Sequence, residues 1–170
     1  MSNTEAQTIA PVTENTAKVT DVSSMLLPVS DKLLLLPGVS VAEIVNYSYP
    51  EPSDDAPEWF YGHITWRKLP VPLVSFELLN QQTLSRSNVV PRIAVLNNTG
   101  VSDDMPFIAI VIQGIPRLLR VTPKDLSHES EISLAPAELA AIRTAADEVA
   151  FIPDVSVLER ALRDYLLSRK

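Results

Sequence analysis

"FIAIVI", residues Phe107 to Ile112, is an unbroken apolar run with no polar residue to mark a solvent-facing phase. It is far shorter than the ~20 residues that a membrane-spanning helix requires. A strand that is apolar on both phases is buried on both faces, at the centre of a barrel or sandwich. Its neighbours agree. "RIAVLN" (Arg92 to Asn97) precedes it across the polar link "NTGVSDDMP", and "IPRLLRV" (Ile115 to Val121) follows across a tight Gln113-Gly114 turn.

The same grammar continues toward the N-terminus. "MLLPV" (Met25 to Val29), a polar "SDK" turn and "LLLL" (Leu33 to Leu36) read as two short strands, and Val41 to Tyr47 forms a third after the Pro37-Gly38 turn. In His63 to Arg67, Ile64 and Trp66 alternate with polar residues, the period of a half-buried strand. Lys68-Leu69 is the expected connection to a strand over Val71 to Phe76. Pro70 and Pro72 cannot donate ladder hydrogen bonds, so one side of that strand is expected to lack a partner. Gln81 to Pro91 reads as a long loop.

Near the C-terminus, Pro136 fits the first position of a helix carrying Leu139 and Ile142 on one face. Glu148 to Pro153 is a final strand. A second helix opens with the spacing of a capping box, Ser156 and Glu159. Its stripe is Leu158, Ala161, Leu162, Tyr165 and Leu166, with Arg169 and Lys170 at the end where the helix dipole favours cations. Eight to ten short strands with few helices predict a mainly β protein of barrels.

Composition narrows function by exclusion. The 170 residues suffice for one domain or two small lobes sharing a core, and 46% hydrophobic content marks a globular chain. Residues 1–22, polar and without period, read as a flexible tail, leaving 23–170 as the folded domain. A net charge of −7 without a Lys/Arg cluster argues against nucleic acid and anionic membrane surfaces as partners. No apolar run predicts membrane insertion, and no basic segment followed by an apolar core marks a secretory signal, so the expectation is a cytoplasmic protein. The absence of cysteine removes thiolate and disulfide chemistry.

Catalytic chemistry is poorly supported. His63 lies on the polar phase of a strand and His128 in a charged loop, neither with a nucleophile indicated nearby. Asp54-Asp55 and Asp103-Asp104 lack the spacing of a calcium loop. Gly38, Gly62, Gly100 and Gly114 are isolated, so no phosphate loop exists. The aromatic cluster Trp59, Phe60, Tyr61 and Trp66 suits either core filling or a protein contact. No enzyme activity, metal or cofactor is expected.

"LLLLPGVSVAEIV", a proline-bearing loop and "APEWFYGHITWRKLPVPLVSFELL" together resemble the signature of CheW-like domains. "FIAIVIQGIPRLLRVTPKDL" is similar to that family's buried strand, the strand after it and a short turn, and "ADEVAFIPDVSVLERAL" to its last strand and terminal helix. The likeness spans about residues 24 to 167. It implies two intertwined small β-barrel subdomains with a short C-terminal helix. It also implies a non-catalytic signalling adaptor that couples the tip of a methyl-accepting chemoreceptor to a CheA-type histidine kinase. The polar tail, "PEP" loop and proline-rich strand look more like accessory CheW-like proteins of pilus-controlling chemotaxis systems than like the flagellar adaptor. The motif match makes Glu43, Val45, Trp59, Gly62, Arg67 and Pro70 the candidate partner-binding residues. Glu43 and Arg67 are expected to meet as a bidentate pair. Lys68 stands where the family usually has Gly, Ser75 where Asp is usual, Gln113-Gly114 where Val-Asp is common, and "IPDV" where "LLDL" is usual. These departures leave partner identity open. Two other readings remain at this point: a small-ligand-binding enzyme using the cleft between barrels, and an accessory structural protein without receptor contact.

Overall fold

Two curled sheets share one hydrophobic core and each encloses a smaller one in the computed structural model, which describes residues 20–85 and 87–169. Strands β1 (Val22–Pro28) and β2 (Leu33–Pro37) form a hairpin of the first sheet. The chain then crosses to the second sheet for β3 (Val41–Asn46), β4 (Phe60–Trp66), β5 (Leu69–Val74), a one-turn helix α1 (Phe76–Leu79), β6 (Arg92–Asn97) and β7 (Phe107–Ile112). It returns to the first sheet for β8 (Arg117–Val121), β9 (Leu126–His128), β10 (Glu138–Thr144) and β11 (Val149–Pro153), and ends in α2 (Val155–Ser168). The strand orders are β8-β1-β2-β11-β10-β9 and β3-β6-β7-β5-β4. The two subdomains are intertwined because the first sheet is built from both halves of the chain. Of the stretch read as a tail, Val22 already pairs with Val121 in β1. Residues 1–19, like Arg86 and Lys170, lie outside the described residues.

The apolar runs are explained by alternation between cores. Ile108, Ile110 and Ile112 point into the large core between the sheets, whereas Phe107, Ala109 and Val111 serve the core enclosed by the second sheet. Leu34 and Leu36 likewise face the shared core, and Leu33 and Leu35 the core of the first sheet. Each side chain follows the pleat, so a strand between two cores must be apolar at every position.

The sheets are also tied by buried polar groups at the ends of elements. Glu77 of α1 accepts from Ser30 N (2.9 Å) and Ser30 Oγ (3.0 Å) in the β1–β2 turn, and from Ser75 Oγ (3.0 Å). Glu138, at the start of β10, accepts from Lys32 Nζ (2.5 Å), Asn80 Nδ2 (2.9 Å) and Ala135 N (2.9 Å). Asn80 completes the network by accepting from Ala137 N at 2.7 Å. A buried carboxylate is tolerable here because its oxygens are satisfied by several donors.

Several sequence expectations need correction. The segment after Pro136 is strand β10, not a helix: it pairs with both β9 and β11, and a bulge between Glu138 and Ala140 leaves Leu139 59% exposed while Ile142 is buried. Leu139 and Ile142 therefore do not share an apolar face, and pairing on two sides outweighs the helical propensity of "AELAA". The strand expected to end at Phe76 stops at Val74, where Ser75 caps α1 by accepting from Leu78 N. In α2 the cap is Asp154, which accepts from Ser156 N at 3.1 Å, rather than Ser156 itself. Glu159 does not complete a box. It is fully buried and accepts from Thr99 Oγ1 (2.9 Å) and Val101 N (3.3 Å), fastening α2 to the β6–β7 link.

The apolar stripe of α2 is borne out at Leu158, Leu162 and Tyr165, whereas Lys170 lies outside the described residues. Leu158 and Leu162 are buried in the shared core, with Tyr165 packed at its margin. Arg169 Nη1 donates to the Tyr165 hydroxyl at 2.7 Å and to the Asp54 carbonyl, anchoring the helix end to the loop before β4. That loop crosses β4 closely: Glu51 N donates to His63 O (2.7 Å) and His63 N to Glu51 O (3.0 Å). Gly62 permits this approach. Its φ is +115°, and a Cβ there would lie 1.9 Å from the Glu51 carbonyl oxygen.

Leu158→Ala or Leu162→Ala should each lower unfolding free energy by ~2–5 kcal/mol in urea denaturation, through lost burial plus a cavity. Gly62→Ala should cost about 2–4 kcal/mol in the same assay, because both its backbone and the Glu51 carbonyl must move. Burial holds the His63 imidazole below its ordinary value of 6.5, against an opposing pull from Glu51. The unfolded chain then binds the proton more readily, so stability present above pH 6.5 is lost as pH falls below it. His63→Gln should flatten that part of a stability profile measured from about pH 7.5 to 5.5.

Candidate partner-binding site

Of the six residues that the sequence marks for binding, the hairpin of β4 and β5 brings Arg67 onto Glu43, with Pro70 just beyond the turn. Trp66 ends β4 with its ring buried against Phe107, edge-to-face at 4.8 Å. An indole buried this way needs an acceptor for its N–H. Glu43, on β3, supplies it: Trp66 Nε1 donates to Glu43 Oε2 at 2.9 Å. Arg67 Nη2 donates to the same oxygen at 3.0 Å, and its guanidinium lies over the Trp66 ring, 4.6 Å from the centroid.

Glu43 and Arg67 therefore meet, but not as a two-bond fork, because one carboxylate oxygen takes both donors. Arg67 is also not a strand residue. The connection is Arg67-Lys68, with Trp66 opposite Leu69, rather than Lys68-Leu69. Both turn residues have positive φ, 47° and 67°. A two-residue hairpin of this hand requires that, and a non-glycine residue there costs about 1–2 kcal/mol. With side-chain exposures of 67% for Arg67 and 41% for Glu43, the ion pair itself adds only ~0–1 kcal/mol. Its effect is positional: the carboxylate holds the indole and the guanidinium in one stacked unit at the tip.

Val45 lies on the same strand as Glu43, half-buried against the second core and opposite Ile93. Pro70 is exposed, two residues beyond Lys68, and faces Thr65 across the hairpin. The expected free edge is present. β5 pairs with β7 through Leu73 and Val74, so among the described residues Leu69–Pro72 has no strand neighbour on that side. A mainly apolar groove of about 420 Å³ opens there, lined by Leu69, Pro70, Pro72, Met105, Phe107 and Leu166, with His63 and Asp104 as its titratable members.

Trp59 and Gly62 sit toward the opposite end of β4. Trp59 packs edge-to-face on Tyr165 at 6.1 Å, beside the shared core, and Gly62 is buried under the Glu51 crossing. Neither touches the Glu43–Trp66–Arg67 unit. Sequence reading missed Trp66 as a member of that unit. The signal was present: an inward-facing Trp must place its N–H on an acceptor.

Of the residues considered for chemistry, His63 and Asp104 both line the groove beside β5, and the others lie elsewhere. His63 stacks edge-to-face on Phe60 at 5.4 Å, and His128 is exposed at the end of β9. Asp54, Asp55, Asp103 and Asp104 are exposed loop residues. Among the described residues, no group of three or more His, Asp or Glu side chains is placed to hold a metal ion.

Comparison with known proteins agrees with this architecture. The chain matches the family model described as "CheW-like domain" over residues 23–162. No curated protein matches it. Among solved structures it is similar to the scaffolding protein TtCheW from Thermoanaerobacter tengcongensis, with a TM-score of 0.66 at 13% identity, covering 79% of this chain and 89% of that one. The family match runs from β1 through both sheets and into α2, and on that extent the chain belongs to the CheW-like domain family.

Proposed function

We propose that this protein is a non-catalytic signalling adaptor that couples the tip of a methyl-accepting chemoreceptor to a CheA-type histidine kinase. Family membership supports a chemotaxis scaffold role. The observation that carries the reading is the tip of the β4–β5 hairpin. There Glu43 holds the buried Trp66 and the exposed Arg67 in one stacked unit beside a mainly apolar groove. Such a unit adds little to stability, and its rigidity suits recognition, since contacts already in place lose less conformational freedom on binding. Val45, Trp59, Gly62 and Pro70 complete the proposed surface: Pro70 at the groove, Val45, Trp59 and Gly62 by supporting the strands that present it. Two sheets in one body give two faces, enough for a kinase and a receptor at once. The setting we infer is the cytoplasm, and among the described residues no helix is long and apolar enough to cross a membrane. On the likeness of its loop and proline-rich strand, the pathway we infer is a pilus-controlling chemotaxis system.

Pull-down and calorimetry with the kinase regulatory domain and a receptor-tip fragment test the proposal, and binding to neither refutes it. Arg67→Ala should weaken binding to at least one of them by about tenfold or more, while changing unfolding free energy by no more than ~1 kcal/mol. Unchanged affinity for both would remove the hairpin tip from the binding surface.

A further inference from the structure

The β4–β5 turn is built against its own backbone preference. Its two positions, at φ 47° and 67°, suit Asn and Gly, yet they hold two long cations. Arg67 has a reason to be there, since Glu43 and Trp66 fix it. Lys68 has none within the fold. It is exposed, and among the described residues it makes no ion pair and no side-chain hydrogen bond. Glycine would close the same turn without strain, so turn geometry does not account for lysine.

We propose that Lys68 is a specificity-determining contact, whose ammonium meets a carboxylate on the protein that docks at the Glu43–Trp66–Arg67 unit. This inference rests on the adaptor reading and adds the chemistry of the partner surface. Leu69, 44% exposed, and Pro70 follow directly and lead into the groove, so the matching surface places an acidic residue next to apolar ones. Charge favours this location. A chain of net charge −7 repels acidic partners over most of its surface, and a cation not neutralised by a neighbour lets such a partner approach in one orientation. The Arg67 charge is shared with Glu43, which leaves Lys68 as the freer cation of the tip.

The test uses full-length protein, wild type and the variants Lys68→Gly, Lys68→Arg and Lys68→Glu, with the kinase regulatory domain and the receptor-tip fragment as probes. Lys68→Gly should raise Tm by about 2–4 °C as the turn relaxes. It should also weaken binding of one probe by about 3- to 10-fold and reduce the salt dependence of its Kd. Lys68→Glu should weaken that probe further, and Lys68→Arg should restore it. A Lys68→Gly protein that is more stable and binds both probes as wild type does overturns the proposal and leaves the adaptor reading standing. A Tm that is unchanged or lower overturns the argument from strain. Wild-type protein that binds neither probe overturns the adaptor reading, and this inference with it.

Discussion

Neighbouring side chains on a strand cannot enter the same core, and this architecture asks its central strands to serve two cores at once. That requirement explains why Leu33–Leu36, Ile93–Leu96 and Phe107–Ile112 are apolar without interruption. It also decides where polar groups can stand. A carboxylate in the middle of β7 would face a core on either side, so the buried acids are confined to element ends. Glu77 lies in α1, Glu138 at the start of β10 and Glu159 in the first turns of α2. There, backbone and hydroxyl donors from the other segments are within reach. The surface proposed for recognition lies at a hairpin tip and a free edge of the second sheet, where exposed charge such as that of Arg67 has room.

The buried glutamates define how rigid the body between those surfaces is. Two sets of hydrogen bonds hold it together: Glu77 joins Ser30 to Ser75, and Glu138 at the start of β10 joins Lys32, Asn80 and Ala135, with Asn80 also holding Ala137. Loss of one member strands its partners in a site with little water, so each set behaves as a unit. An apolar contact alone would let the sheets slide. Directional bonds fix one relative position of the two faces.

What the sequence disclosed follows from which forces are local. Two-faced burial leaves a compositional trace, and "FIAIVI" could be placed at the centre from its residues alone. Pro70 and Pro72 announced the missing neighbour of β5 because a proline lacks the N–H that a ladder needs. The Glu43–Arg67 contact was reachable through the motif. The errors arose where a distant partner decides. "AELAA" has the local character of a helix, and only pairing on both sides makes it a strand. Ser156 and Glu159 have box spacing, but Asp154 is nearer the free amides and Glu159 is drawn to Thr99, sixty positions away. The conformation of Arg67-Lys68 was hidden for a different reason: neither residue type favours a left-handed backbone, so the turn had to be seen.

The return of the chain to its first sheet has a consequence during synthesis. β1 finds its outer neighbour β8 only about a hundred residues later, and β2 closes on β11 later still. Until the last strands leave the ribosome, the apolar faces of β1 and β2 have no permanent cover. The five strands of the second sheet, contiguous in the chain, can assemble beforehand and offer those faces half of the shared core. The order of synthesis thus makes the central segment a template on which the two ends are gathered, and a chain stopped before β10 would expose its leucines to chaperones and proteases.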